Sequence, residues 1–487
     1  MQKDNVKFKI ILLGILFFGI FGWAKSSWTE IISADRQVTW QGNVGVEGGI
    51  PARTTQIDCT QAPYNVPTDG ISDCQPSITA CLNGIASGQT AYLPAGKFII
   101  SWTLVIPSNK TLRGAGMNST IIRTNVSVPY ALISIGNTLS GAGWYDEIDI
   151  QSGYTKGSET LTFASSDAIS TISVGDFVII DELNDAAIPV TSVGLTGGTC
   201  AYCGRPGWDN PPGAGGARAR GQSVRVTGKN GAQLTFTPSM FFTFSNGNSP
   251  QIAKWEDRPN QWTHAGLTKY AGVENLTLYN NGGDNIGLAV GTCSDCGVKG
   301  IKIEKAGSRV LVVGANAYRC EVRDSYFYDC NDHSNSDQCY GTAFGIGATG
   351  NLIENNIYNY VSEGPMVVVG ASGNVIAYNY LYEVHRTANQ DGVFWPDTWS
   401  HAAHPSFNLF EGNEMVGLNF DYYIGSGSHN VIFRTRILAK SQLGDSYYLN
   451  LALKGTHRTS GANRFFENFP AIYTKFTSSQ TGKELFS

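Results

Sequence analysis

The chain has 487 residues, 57 of them glycine, with 15% charged residues and a net charge of −5. That balance excludes a coiled coil and an extended disordered chain, and it supplies no basic patch for nucleic acid. Many glycines with few charges fit a turn-rich β protein.

At the N-terminus, Lys3, Lys7 and Lys9 precede an apolar run from Ile10 to Trp23. The run is too short to cross a bilayer comfortably and suits the apolar region of a signal peptide. Residues 1–26 are therefore read as a signal peptide, with an uncleaved anchor as the alternative. The expected location is secreted or cell surface, extracellular or periplasmic, with no stable membrane insertion after signal removal. The 10 cysteines of an exported chain favour disulfides, and Cys330 and Cys339 bracket an insertion that a bridge would clamp. The pairs Cys200/Cys203 and Cys293/Cys296 form an alternative four-thiolate zinc set. Sequons for N-glycosylation begin at Asn109, Asn118, Asn125 and Asn275.

Residues 27–68 lack periodicity and read as an extended arm lying on the rest. Residues 69–144 read as a capping helix followed by the first coils of a solenoid. Pro76 near the start, with apolar Ile78, Cys81, Leu82 and Ile85, predicts a short helix ending near Gly88. Two β segments follow, TAYLPAGKFIIS from Thr90 and LVIPSNKTLRGAG from Leu104. From Asp69 to Gly116 this text resembles the opening of the pectate-lyase-like superfamily, the branch shared with rhamnogalacturonase, epimerase-like proteins and phage tailspikes. The resemblance implies a right-handed parallel β-helix and a carbohydrate ligand. It does not fix a reaction, because lyases, hydrolases, epimerases and non-catalytic proteins share the fold.

Residues 145–258 break the pattern and read as a small inserted β domain with Asn-Gly and Gly-Asp turns. Its Gly/Pro-rich loop, Thr196 to Gly221, carries Arg205, Arg218 and Arg220, which either face water or contact an acidic polymer.

Residues 259–487 read as the main parallel β-helix. Asn351-Leu-Ile-Glu-Asn-Asn, Asn374-Val-Ile-Ala-Tyr-Asn and Asn408-Leu-Phe-Glu-Gly-Asn are near copies. The anchoring apolar residues Val273, Val298, Val322, Ile353, Ile376, Phe410, Ile432 and Phe465 are spaced by 25, 24, 31, 23, 34, 22 and 33 residues. Such a period marks an array whose repeats bury their apolar faces only by stacking. Gly and Asn tolerate the positive φ of tight corners, and repeated Asn predicts side-chain ladders there. The fold class is thus all-β: a right-handed, single-stranded parallel β-helix with an N-terminal capping helix and a small inserted β domain.

In each coil one strand is expected to form a groove floor. The assigned runs are Gly287-Leu-Ala-Val, Val310-Leu-Val-Val, Phe344-Gly-Ile-Gly, Met366-Val-Val-Val, Val393-Phe-Trp, Tyr422-Tyr-Ile-Gly and Tyr448-Leu-Asn-Leu. Insertions at 331–341, 387–391 and 439–446 precede this strand, and those at 396–407 and 454–463 follow it. Insertions confined to one face often wall a binding groove. On this alignment Glu363, Asp391 and Asp421 enter the floor from successive coils, about 4.7–4.9 Å apart. Stacked carboxylates raise one another's pKa and serve as an acid/base pair or as an oxygen-rich Ca²⁺ site. Ca²⁺ at Glu363, Asp391 and Asp421 is the one cofactor this pattern allows.

The segment from His385 to His404 concentrates reactive groups: Arg386, Asp391, Asp397, His401 and His404, with Trp395 and Trp399 as sugar-stacking platforms. Histidines and carboxylates supply proton transfer near neutral pH. A lyase needs a base for the proton α to a uronate carboxylate, here Arg386, His401 or His404, and a cation to neutralise that carboxylate, Ca²⁺ or Lys454/Arg458. A hydrolase needs two carboxylates, such as Asp391 with Asp397 or Asp421. Tyr422, Tyr423, Tyr447 and Tyr448 complete the expected substrate platform. The catalytic sets of the polygalacturonases and the vWiDH segment of the extracellular pectate lyases are missing. Three readings stay open: a polysaccharide lyase or related uronate-acting enzyme on an acidic polysaccharide, a carboxylate-pair hydrolase, and a non-catalytic glycan-binding surface protein or adhesin.

Overall fold

The computed structural model describes residues 32–128, 130–136, 142–184, 218–257, 267–281, 283, 285–314, 316–331, 333, 339–345, 347–368, 370–384, 398–401, 404–415, 418–420, 427–438, 451–453, 471–473 and 476–477. For residues 142–146, 256–257, 368, 398–401, 419, 437–438, 451–453, 471–473 and 476–477 the backbone alone is described. Two units are distinguished, Met1–Gln37 and Val38–Ser487. In the first, residues 34–36 form a turn.

The second unit is a parallel β-helix with three sheets, here called the first, second and third faces, of 11, 10 and 9 parallel strands. Each coil contributes one short strand to each face, and the coil above continues every ladder. On the first face the central residues Ile57, Ala91, Leu112, Val273, Val298, Val322, Ile353, Ile376, Phe410, Ile432 and Ile472 stand side by side in that order. Seven of the expected anchors fall on this column. The last does not: Ile472, rather than Phe465, pairs with Ile432. The segment Asn463 to Asn468 imitates the repeat, and it lies outside the described residues.

The corner after the first face is one residue in the left-handed conformation. Asn275, Gly300, Asp324, Asn355, Tyr378, Gly412 and Arg434 all hold it, with φ between 49° and 61° for all but Gly412 at 62°. Asn, Asp and Gly accept this region readily; Tyr378 and Arg434 are held there by the stacking above and below.

Two asparagine ladders line the interior corners. In the first, Asn351 Nδ2 donates to Asn374 Oδ1 (2.9 Å), Asn374 Nδ2 to Asn408 Oδ1 (2.9 Å) and Asn408 Nδ2 to Asn430 Oδ1 (3.0 Å). In the second, Asn356 donates to Asn379 (3.1 Å) and Asn379 to Asn413 (3.0 Å). Each ladder amide also accepts from the backbone N–H one coil back and donates to a corner carbonyl, as Asn374 does with Asn351 N and Ala348 O. These chains satisfy corner amides that burial would otherwise leave unpaired.

The N-terminal end is closed by a helix at Gln75–Gly84, which stops a turn before the expected Gly88. Pro76 starts it, Ile78, Cys81 and Leu82 enter the core, and Cys81 is bridged to Cys59. Lys110 Nζ caps its last turn by donating to the carbonyls of Leu82 (2.8 Å) and Asn83 (2.9 Å). The segment before it is more than an arm, because Gln56–Asp58 opens the first face as a parallel neighbour of Thr90–Leu93. Upstream, Trp40, Gly45 and Arg53 bond Phe407 O, Gly350 O and Thr111 Oγ1 in turn, so this stretch runs back along the coils.

Between the third-face strand Ala131–Ile135 and the coil at Thr268–Lys269, the chain forms a six-stranded antiparallel sheet. Its strand order is Ala142–Asp149, Gln251–Asp257, Phe177–Asp181, Gly221–Asn230, Gln233–Thr237, Thr160–Thr162. The sheet is fixed to later corners of the β-helix. Ser223 bonds Thr349 Oγ1 and Gly347 O, Tyr318 OH donates to Thr237 O, and Phe407 packs with Phe241 and Phe242.

Candidate functional site

The floor of the expected groove is the third face, and its register corrects several assignments. The strands are Tyr340–Phe344, Glu363–Val368, Thr398–His401, Leu418–Phe420 and Leu451–Leu453. Met366 pairs with Trp399, and Trp399 with Asn419. The floor strand is therefore Thr398–His401, not Val393-Phe-Trp, and Leu418–Phe420, not Tyr422-Tyr-Ile-Gly. Val393-Phe-Trp is the more apolar of the first two candidates, so composition favoured it over the polar Thr398-Trp-Ser-His that forms the floor. Glu363 opens its strand, whereas Asp421 follows the end of Leu418–Phe420. Of the expected row of Glu363, Asp391 and Asp421, and of the Ca²⁺ site built on it, only Glu363 lies among the described residues. Glu363 itself is 1% exposed and pairs with Tyr340 in the ladder.

Trp399 and His401 lie on the floor strand, His401 beside Val368. His404 is described fully. It is 3% exposed, and neither ring nitrogen has a hydrogen-bond partner among the described residues. Burial pushes its pKa down to about 3, helped by the charge of Arg220 and by His429. A neutral imidazole so enclosed is a weak base, which argues against the expected catalytic role. Arg386, Asp391, Trp395, Asp397, Asp421, Tyr422, Tyr423, Tyr447, Tyr448, Lys454 and Arg458 lie outside the described residues, as do Cys200, Cys203 and Arg205. Arg218 and Arg220 are committed internally, to Asp181 (3.1 Å) and Glu182 (2.7 Å), and Arg220 also lies over Phe242. They do not face a polymer.

The expected insertion 331–341 runs into the third-face strand Tyr340–Phe344, whereas 396–407 contains the floor strand Thr398–His401; 387–391, 439–446 and 454–463 lie outside the described residues. The 331–339 loop is closed by the Cys330–Cys339 disulfide, as its position predicts. Inside that clamp His333 Nε2 meets Asp329 Oδ1 at 3.0 Å, while Nδ1 faces Cys339 Sγ at 3.8 Å. Asp329 also pairs with Lys305. Burial alone would raise the Asp329 carboxyl, but hydrogen bonds from Lys305 and His333 outweigh it and hold the group below the usual carboxylate range. The ring is pinned between a carboxylate and a disulfide, a fixing role rather than a proton-transfer one.

The second face carries the feature that sequence reasoning missed. Its strands Lys302–Ala306, Tyr326–Cys330, Ile357–Asn359 and Tyr380–Tyr382 bury their middle residues Ile303, Phe327, Tyr358 and Leu381 in the core. Alternation turns the flanking residues outward. One outward column runs Lys302, Tyr326, Ile357, Tyr380, Glu414, Arg436. The other runs Tyr279, Glu304, Tyr328, Asn359, Tyr382. Tyr326 and Tyr328 lie side by side with ring centroids 5.6 Å apart and planes 20° apart, and Tyr380 and Tyr382 do the same at 6.2 Å and 22°. Two tyrosine plates thus lie on the face, separated by the coil of Ile357 and Asn359. At one strand spacing per coil the plates are about 9.5 Å apart. Lys302 Nζ stands 5.7 and 5.3 Å from the first pair of rings and is ion-paired to Glu304 at 2.6 Å. Asn359 Nδ2 donates to Tyr326 OH at 2.8 Å, and Arg436 pairs with Glu414 at 3.0 Å. The signal was present in the sequence as Tyr326-x-Tyr328 and Tyr380-x-Tyr382, a period-two pair around an apolar centre.

Comparisons with known proteins fit this architecture. No protein-family model matches the chain. The tailspike gp61 of Pseudomonas phage phi297 superposes with a TM-score of 0.51 at 12% identity, over 79% of this chain and 60% of that one. That likeness is one of fold. A stretch of 74 residues, 15% of this chain and 8% of the other, is 36% identical to the pre-neck appendage protein of Bacillus phage B103. The chain spans less than two thirds of the length of either. These likenesses bear on the β-helix and not on the pectate-lyase-like superfamily as such. No described helix is long and apolar enough to cross a membrane.

Proposed function

We propose that this chain is a carbohydrate-recognising β-helix of an exported or virion-associated protein, and that the second face is its glycan-binding surface. The observation that carries this reading is the pair of half-buried, outward-facing tyrosine plates on rigid strands. Tyrosine offers a broad apolar ring at small entropic cost, with a hydroxyl at its tip. The CH faces of pyranose rings stack on such plates, while Asn359, Glu304, Lys302, Glu414 and Arg436 stand around them to meet hydroxyls. The charges on the strip balance, Lys302 and Arg436 against Glu304 and Glu414, which suits a neutral or mixed glycan better than a densely acidic one. Fold likeness to a tailspike and the short match to a phage appendage protein support a place on a virion or cell exterior.

Cleavage is the second reading, favoured by His401 on the floor strand and by the insertion that runs into the third face. Its candidates are Arg386, His401 and the carboxylates Asp391, Asp397 and Asp421, with a lyase acting by β-elimination on a uronate polymer or a hydrolase acting through two carboxylates.

The test is a panel of neutral and acidic polysaccharides assayed for binding, for unsaturated uronate and for new reducing ends. Tyr326→Ala with Tyr380→Ala should weaken binding at least tenfold, about 1.4 kcal/mol. Equal binding by wild type and the double variant would sink the tyrosine surface. Turnover that survives in the double variant and vanishes in His401→Ala would move the function to the third face.

A further inference from the structure

The first asparagine ladder stops at a chemical substitution. The ladder position runs from Asn430 through Asn408, Asn374 and Asn351, and its next two members toward the N-terminus are Cys320 and Cys296. Cys320 N still donates to Asn351 Oδ1 at 2.8 Å, so the backbone of the ladder continues. A second column along the same corner runs Cys293, Ala317, Ala348. In the later coils Ala317 and Ala348 offer their carbonyls to ladder asparagines. Where two Asn and one Ala would complete that pattern, the chain has three thiols instead.

The three sulfurs converge. The Sγ atoms of Cys293, Cys296 and Cys320 all lie within 4.8 Å of one another, and each residue is at most 1% exposed. The Sγ atoms of Cys293 and Cys320 are 3.3 Å apart, too far for the bond of a disulfide, about 2.05 Å. Three thiolates around one ion at about 2.3 Å would place their sulfurs about 4.0 Å apart, so a small opening of the Cys293–Cys320 pair makes room. Carbonyl oxygens border the pocket: Thr268 O stands 3.9 Å from Cys296 Sγ, and Tyr318 O 3.7 Å from Cys320 Sγ. Arg53, whose Nε donates to Thr111 Oγ1 at 2.9 Å, lies close enough to interact electrostatically with Cys296. Three thiolates with a divalent ion carry one net negative charge, which this guanidinium offsets.

We infer that Cys293, Cys296 and Cys320 form a buried binding site for a soft, thiophilic cation of the Zn²⁺ or Cu⁺ kind. Thiolate sets of this type select such ions over Mg²⁺ or Ca²⁺. Binding releases the three thiol protons and joins two successive coils at the point where the hydrogen-bonded ladder ends. Cys200 and Cys203, the other half of the expected thiolate set, lie outside the described residues; Cys320 is the member the sequence did not suggest.

The test uses the full chain, purified under reducing conditions without chelator. Elemental analysis should find one equivalent of Zn²⁺ or Cu⁺, the two ions being distinguished by that measurement. Refolding with Cd²⁺ should add the ultraviolet sulfur-to-metal charge-transfer band. The variant Cys296→Asn with Cys320→Asn extends the existing ladder, so it should fold with native circular dichroism and lose the metal and the band. Metal content equal to wild type in this variant would overturn the site. So would a natively purified chain that holds no metal and yields a Cys293–Cys320 cross-linked peptide, since the trio would then be a disulfide with a spare thiol. A metal-free chain with three alkylatable thiols would overturn it as well.

Discussion

Removing one rung of the first ladder tests what holds the coils in register. Asn374 is fully buried and makes four hydrogen bonds: Asn351 N and Nδ2 to its Oδ1, both at 2.9 Å, and its Nδ2 to Ala348 O at 3.0 Å and Asn408 Oδ1 at 2.9 Å. In Asn374→Ala all four are lost. Asn408 Oδ1 keeps its bond from Asn374 N, Ala348 O keeps Ser372 N, and Asn351 Nδ2 keeps Ala317 O. The Asn351 N–H keeps nothing and is stranded in the interior. Four bonds at about 1 kcal/mol net each, with one orphaned donor among them, give an expected loss of about 3–5 kcal/mol. Urea unfolding followed by far-ultraviolet circular dichroism measures it as the shift in midpoint multiplied by m. Gln61→Ala, an exposed side chain bonded only to Thr60 Oγ1, serves as the control and should stay within about 0.5 kcal/mol. A loss below about 1 kcal/mol for Asn374→Ala would refute the reasoning, because it would mean that the corner amides do not depend on the ladder.

Three further outcomes follow from the same interior. His404 has a folded pKa of about 3 against about 6.5 when unfolded, so between these values the unfolded chain binds the extra proton. Stability is complete above pH 6.5 and falls as pH drops toward 3, by up to about 1.4 kcal/mol per unit; His404→Asn, a residue suited to its φ of 58°, should flatten that difference, and parallel curves would refute the burial argument. Tyr358 OH meets Thr342 Oγ1 at 2.8 Å in the core, so Tyr358→Phe alone should cost about 1–3 kcal/mol and the double change Tyr358→Phe with Thr342→Val less than the sum of the two single changes. Gly136 has φ of 74°, and a Cβ there would stand 2.1 Å from Gly291 O; Gly136→Ala should lower stability by more than about 2 kcal/mol in thermal unfolding.

The first face was legible because its strands repeat one pattern: an apolar centre, an asparagine, and a corner that needs positive φ. Val273 to Ile432 stand in the observed column for that reason. The third face was not legible to the same depth. Val393-Phe-Trp and Thr398-Trp-Ser-His are both credible strands, and a solenoid tolerates insertions of any length between them, so spacing alone could not set the register. The expected Glu363, Asp391 and Asp421 stack depends on that register, and Asp391 and Asp421 lie outside the described residues. The tyrosine plates were overlooked for the opposite reason. Tyr326-Phe-Tyr328 and Tyr380-Leu-Tyr382 look like continuous buried runs until the neighbouring coils show that only the middle residue faces inward.

The position of those plates separates recognition from any chemistry. They sit on strands, not on loops, and their inward neighbours Phe327 and Leu381 are locked in the core. On the proposed reading, a surface fixed this way changes little when a glycan arrives, so affinity comes from stacking without a cost for ordering the site. Groups that perform bond cleavage must instead converge on one reacting atom. Among the described side chains the candidates do the reverse: His404 is enclosed, His333 is pinned between Asp329 and a disulfide, and Glu363 is buried in the ladder. On the proposed reading the second face holds a polymer along its coils, and a cleavage reading rests on His401 of the floor strand and on candidates outside the described residues.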